Sequence, residues 1–189
     1  MTPPLRAVLV DADGVLQFTA PAWRDDVADT VGDHELARHP RLLDEIAKAE
    51  SPSTMTGLGM RATAVIEAWH NIELHADVVE GVRALRGRGL VLALTTNQNP
   101  PRAAWMRENL PYDEVFDAHF YSCEVGFAKP DPAYFHHVLE TLGVAPAEAL
   151  FLDDTAVNVE SAAGLDAAKS VARARLDAVK HDVGQALGL

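Results

Sequence analysis

Three things are scarce in this chain, and each absence removes a class of explanation. One cysteine, Cys123, stands among 189 residues, so no disulfide can form within the chain, which fits a reducing compartment. Positive charge is thin: 16 Lys+Arg face 28 Asp+Glu, a net charge of −12. With no Lys or Arg run to displace phosphate counterions, nucleic acid is not an expected partner. No window approaches the roughly 18 apolar residues of a membrane span. The opening residues run into an apolar stretch too brief for a signal-peptide core. The expectation is a cytoplasmic protein without nucleic-acid or membrane partners.

What remains is globular in composition. Hydrophobic residues make up 48% and charged residues 23%, near the average for folded domains, which excludes wholesale disorder. The length suits one domain carrying a small insert. Ala7 to Val10 is a continuous apolar run that stops at Asp11, the pattern of a strand buried on both faces of a parallel sheet. Leu90 to Leu94, Ala149 to Leu152 and, more weakly, Ala118 to Tyr121 and Ser170 to Ala172 share it. Between them lie helical periodicities. Val79, Val82 and Leu85 end at Gly87, Pro101 opens a helix through Leu110, and Asp131-Pro132 opens another closed by Gly143. Asn158 to Leu165 and Leu176 to Leu187 follow. Alternating strands and helices predict a Rossmann-like α/β fold, a parallel sheet with helices on both faces.

Residues 18–76 break the alternation. Helix-like patches at 27–31, 42–49 and 62–69 come without a convincing strand. We therefore expect a core of residues 1–17 and 77–189, with 18–76 as a small helical cap inserted after strand 1.

In open α/β sheets, ligands bind at the carboxyl ends of the strands. Those ends read Asp11-Ala12-Asp13-Gly14, then Thr95-Thr96-Asn97, then Lys129-Pro130 before a helix, then Asp153-Asp154 with Asn158 beyond. The rim thus gathers at least four carboxylates and one lysine. Two like charges about 4 Å apart cost about 4 kcal/mol at an effective dielectric near 20, so ionised carboxylates there call for a cation. Oxygen ligands of this kind suit Mg²⁺.

These four motifs, in this order from about Val8 to Val171, resemble those of the haloacid dehalogenase-like hydrolase superfamily, and the insert resembles its C1-type cap. The resemblance implies that Asp11 is a nucleophile forming an aspartyl-phosphate and that Asp13 is the acid–base group. It implies that Thr96 binds the phosphoryl group through its hydroxyl, helped by the backbone around Asn97, and that Lys129 bridges it to the nucleophile. Thr96 is chosen over Thr95 because Thr-Asn matches the family pattern. Mg²⁺ would be held by Asp11, Asp13 through its backbone carbonyl, and Asp154, with Asp153 a ligand or just behind one. Asp13 favours phosphoryl transfer over dehalogenation, since the similar dehalogenases lack an Asp at this spacing. The implied activity is a phosphatase acting on a small phosphorylated metabolite, such as a sugar phosphate, by a monomer or homodimer. A phosphomutase, a dehalogenase-like hydrolase and a non-catalytic relative are the rivals.

Blander readings apply elsewhere. Asp-x-Asp-Gly also opens calcium loops, but the terminal Glu of an EF-hand would fall at Ala22. Lys129 alone would be a surface lysine, and Asp153-Asp154 alone a helix cap. Cys123 is expected to be packed, and His136-His137 to present one buried and one exposed ring. Trp69, Trp105, Phe116 and Phe151 are expected in the core. Trp23, Arg24, His34, Arg61, Trp69 and His70 are the cap residues within range of a substrate, with Arg24 and Arg61 suited to a second anion.

Overall fold

In the computed structural model, residues 3–20, 29, 70–165 and 169–172 are described. Strands β1 (Ala7–Val10), β4 (Val91–Thr96), β5 (Ala118–Tyr121), β6 (Ala149–Asp153) and β7 (Lys169–Ala172) form one sheet in the order β5-β4-β1-β6-β7. Every pair in it is parallel. Strand β1 is central because its four residues offer apolar side chains to both faces. Val8 and Val10 enter one core cluster, while Ala7 and Leu9 enter the other.

Helices cover both faces. Helix α1 (Ala76–Arg83) lays Val78, Val79 and Val82 against the first cluster. It is joined there by Ala103 and Met106 of α2 (Pro100–Asn109) and by Tyr112 and Val115 of the short α3 (Tyr112–Val115). After the single-turn α4 (Ser122–Val125), α5 (Pro132–Leu142) covers the other face with Tyr134, Phe135, Val138 and Leu139. Helix α6 (Ala156–Ala163) adds Ala162 to that face. Each large apolar side chain among these contributes about 1.5–3 kcal/mol by leaving water. Helix α5 begins and ends as its sequence requires: Asp131 caps Ala133 N–H at 2.9 Å, and Gly143 takes the left-handed conformation that stops it.

One expectation for the insert needs correction. The 18–76 segment was expected to lack strands, yet β2 (Gln17–Thr19) and β3 (Ile72–Leu74) pair antiparallel, with Gln17 opposite Leu74 and Thr19 opposite Ile72. Three-residue strands carry no readable alternation, and cross-strand hydrogen bonding between distant segments is invisible in either alone. Backbone bonds from His75 to Leu16 (2.8 Å) and from Ala20 to Asn71 (2.8 Å) lengthen the clasp. The patches expected to be helical at 27–31, 42–49 and 62–69 lie outside the described residues, as does the helix expected over 176–187. So do Trp23, Arg24, His34, Arg61 and Trp69. No helix among the described residues is long and apolar enough to cross a membrane.

Smaller expectations also shift. Phe116 and Phe151 are core residues and Trp105 packs at the core's edge. His136 and His137 are both exposed, because the apolar face of α5 is built from Tyr134, Phe135, Val138 and Leu139. Cys123 is exposed on the four-residue α4, which buries none of its side chains. Partial burial and then Glu124 push its thiol pKa up, which disfavours the thiolate.

Candidate active site

The register fixes where the site must lie. Val10 stands opposite Leu94 on one side and Leu152 on the other. The next residues of three strands therefore emerge side by side at the point where chain order reverses across β1. Asp11 continues the line, its N–H donating to Leu152 O at 2.8 Å. Its Oδ1 accepts from Ala12 N–H (2.7 Å) and from Lys129 Nζ (2.9 Å). Burial and then the Asp153 charge raise the Asp11 pKa to about 7, while Lys129 limits the rise.

After Asp11 the chain turns on a single carbonyl. Ala12 O accepts from the N–H groups of Val15, Leu16 and Gln17. Gly14 sits in this turn at φ +82°, and a Cβ there would lie 2.1 Å from Asp154 Oδ2. The backbone conformation favours glycine here, and a side chain at this position would have to displace the Asp154 carboxylate.

Lys129 is buried, and its ammonium has three partners for three N–H bonds: Asp11 Oδ1, Asp153 Oδ2 (2.6 Å) and Thr95 O (2.9 Å). Burial acts to lower its pKa, but Asp11 and Asp153 outweigh it and the net shift is upward, so the lysine stays charged. Asn97 holds the lysine's backbone from both sides, Nδ2 donating to Lys129 O (2.8 Å) and Oδ1 accepting from Lys129 N–H (2.9 Å). The Asn97 side chain is thus committed to the Lys129 loop, while the expectation for the phosphoryl group concerns the backbone around Asn97.

The two neighbouring aspartates differ sharply. Asp153 is fully buried. Its Oδ1 accepts from Thr155 N–H (2.8 Å) and Asn158 Nδ2 (3.1 Å), and its Oδ2 from Lys129 and the same Asn158 Nδ2 (3.1 Å). Asp154 is exposed and accepts from Thr155 Oγ1 at 3.1 Å. Burial of part of its surface, with Asp153 adding to it, raises its pKa. Carboxylate oxygens of Asp11, Asp153 and Asp154 all lie within 4.8 Å of one another. Both Thr95 and Thr96 are buried. Thr96 Oγ1 accepts from Gln98 Nε2 at 3.1 Å, whereas Thr95 Oγ1 has no partner among the described residues.

Asp13 stands in a network that the sequence did not disclose. Its Oδ1 accepts from Arg102 Nη2 (2.7 Å) and Gln17 Nε2 (2.9 Å), and its Oδ2 from Gln98 Nε2 (2.6 Å). Tyr112 Oη donates in turn to Gln17 Oε1 at 2.6 Å. One signal was available. Asn99-Pro100-Pro101 marks a helix start, with Asn99 Oδ1 accepting from Arg102 N–H. An arginine in the first turn opposes the helix dipole, so an acidic partner was to be looked for.

The family model described as haloacid dehalogenase-like hydrolase matches residues 40–166. Acyl-CoA dehydrogenase family member 10 of Mus musculus is 31% identical over 134 residues, 70% of this chain but 12% of that protein, so the chain spans a small part of that relative. A phosphorylated carbohydrates phosphatase of Thermotoga maritima is 28% identical over 201 residues, covering 98% of this chain and 90% of its own length. A HAD family enzyme of Bacteroides thetaiotaomicron, solved with magnesium and inorganic phosphate, has the same fold at a TM-score of 0.72 and 21% identity, covering 88% of this chain and 93% of that one. Four strand-end motifs converge on one rim and the family's model spans most of the sequence, so this chain belongs to the haloacid dehalogenase-like hydrolases.

Proposed function

We propose that the chain is a Mg²⁺-dependent phosphatase of a small phosphorylated metabolite, working through a phosphorylated Asp11. The observation that carries this reading is the Asp11–Lys129–Asp153 arrangement beside Asp154: three carboxylates within 4.8 Å of one another against a single buried ammonium. That surplus of negative charge suits a hard cation, and the space left by the missing Cβ of Gly14 admits the Asp154 carboxylate. Asp11, Asp154 and the Asp13 carbonyl would hold the ion. Asp153 has each oxygen taken by two donors, and its role is to hold Lys129 and Asn158. When bound, Mg²⁺ orients the substrate and stabilises charge developing on phosphoryl oxygens. The likeness to a carbohydrate-phosphate phosphatase across nearly the whole chain supports a phosphomonoester substrate.

The chain's own residues divide the remaining work. The N–H of Ala12 and the Lys129 ammonium fix Asp11 Oδ1 and leave Oδ2 to attack phosphorus. As the new O–P bond forms, the bond to the leaving oxygen breaks and Asp13 delivers a proton to that oxygen. Lys129 offsets charge on the transferring group, and Thr96 offers it a hydroxyl. In the second half, Asp13 takes a proton from water, the water oxygen attacks phosphorus, and Asp11 is restored as inorganic phosphate departs.

The test is release of inorganic phosphate from a panel of phosphorylated metabolites, with p-nitrophenyl phosphate as reference. Activity should require Mg²⁺, disappear reversibly in EDTA, and be lost in Asp11→Asn with the fold intact. Full activity in EDTA or in Asp11→Asn overturns the reading. Isomerised product without free phosphate would instead mark a phosphomutase.

A further inference from the structure

Arg102 is a charged side chain buried in the described core, and the mechanism above does not use it. Its side chain is 0% exposed. Moving a guanidinium out of water is costly, and an apolar replacement of similar volume often does no worse for stability. Burial lowers its pKa, with Asp13 and Tyr112 opposing that shift. It also stands in the first turn of α2, where the helix dipole disfavours a cation. A residue so placed cannot reach solvent or a bulky ligand, yet its Nη2 lies 2.7 Å from Asp13 Oδ1.

We propose that Arg102 is a positioning residue for the reaction, which, with Gln98 and the Gln17–Tyr112 pair, clamps the Asp13 carboxyl group in the orientation that serves proton transfer to the leaving oxygen. This rests on Asp13 being the acid–base group. Two donors, Arg102 and Gln17, occupy Oδ1 and turn Oδ2 toward Gln98. Gln98 Nε2 touches Asp13 Oδ2 and Thr96 Oγ1 at once, so one amide nitrogen spaces the proton donor from the phosphoryl-binding hydroxyl. Tyr112 supplies the orientation of Gln17. Burial, then the Asp13 charge, raises the phenol's pKa, so it remains an O–H donor. By filling Gln17 Oε1 it commits Gln17 Nε2 to Asp13. Two facing elements thus converge on one carboxylate: α2 through Arg102, and the start of β2 through Gln17. Positional errors near 1 Å in a reacting group can cost about a hundredfold in rate.

The experiment separates proton transfer from mere folding by varying the leaving group. The values of kcat/KM are compared for p-nitrophenyl phosphate, whose weakly basic phenolate leaves without help, and phenyl phosphate, whose phenolate has about the basicity of a tyrosine side chain, pKa about 10. Arg102→Lys should lower the ratio of phenyl to p-nitrophenyl activity about tenfold, and Tyr112→Phe about threefold, with Mg²⁺ saturating. Damage to folding alone lowers both activities and leaves the ratio in place. Asp13→Asn is measured in parallel and should show the largest fall. If Asp13→Asn lowers the ratio while Arg102→Lys and Tyr112→Phe keep the wild-type ratio, the clamp is refuted and the acid–base assignment stands. If Asp13→Asn itself keeps the ratio, the acid–base assignment fails and the clamp fails with it. Should Arg102→Lys not fold, Tyr112→Phe decides alone, because it deletes one oxygen and no charge.

Discussion

Replacing either member of the Asp153-Asp154 pair by asparagine should give two opposite phenotypes. In Asp153→Asn, every contact the side chain now accepts comes from a donor: Lys129 Nζ, Thr155 N–H and Asn158 Nδ2. An amide must turn its own NH₂ toward one of them. Removing one partner of a buried ion pair typically costs about 3–5 kcal/mol. Lys129 would keep Asp11 at 2.9 Å and the Thr95 carbonyl, so the lower end, about 3 kcal/mol, is expected. For a chain of this size that lowers Tm by roughly 6–12 °C. Asp154→Asn removes an exposed charge whose described bond is a neighbouring hydroxyl, and its stability should stay within about 0.5 kcal/mol of wild type. Its defect should be a rise in the Mg²⁺ concentration for half-maximal phosphatase rate, roughly 10–100-fold or more on the scale of lost metal-site groups. Urea and thermal unfolding without metal, followed by Mg²⁺ titration of activity, read both effects. A stable Asp153→Asn beside an unstable Asp154→Asn would refute the division of labour between them.

Two further outcomes follow from single contacts. Gly14→Ala puts a methyl where Asp154 Oδ2 now lies 2.1 Å away and holds a non-glycine residue at φ +82°. It should cost about 1–3 kcal/mol of stability and most of the Mg²⁺-dependent activity; a variant with wild-type Mg²⁺ response and melting would contradict the close approach of Asp154 to this turn. His70 stacks on Trp105 at 5.2 Å between ring centroids, and burial, then Arg102, lowers its pKa to about 4. Its unfolded form takes up a proton below about pH 6.5 that the folded form refuses until about pH 4. Stability therefore falls as pH is lowered across that window, and His70→Gln should flatten that fall; an NMR titration of the imidazole near pH 6.5 would show the reasoning to be wrong.

The parts of this molecule that could be read in advance are those whose cause is local. The strand at Ala7–Val10 is an uninterrupted apolar run, and α5 carries its own start and stop in Asp131-Pro132 and Gly143. The rim position of Asp11 and Asp153, at the ends of the neighbouring strands β1 and β6, follows from sheet topology. What stayed hidden depends on pairing across the chain. Strands β2 and β3 exist because segments far apart in sequence find each other. The different fates of Asp153 and Asp154 depend on which of two adjacent side chains points inward at the end of β6. Asn97 and Gln98 read as ordinary amides until the Lys129 backbone and the Asp13 carboxylate are placed beside them.

Gln17 belongs to two structures at once. Its backbone opens the antiparallel pair at the two roots of the insert, opposite Leu74, while its amide grips Asp13. The backbone that pairs with β3 and the amide that donates to Asp13 belong to one residue. A shift of that strand pair therefore carries the Gln17 amide, and its hydrogen bond to Asp13, along with it.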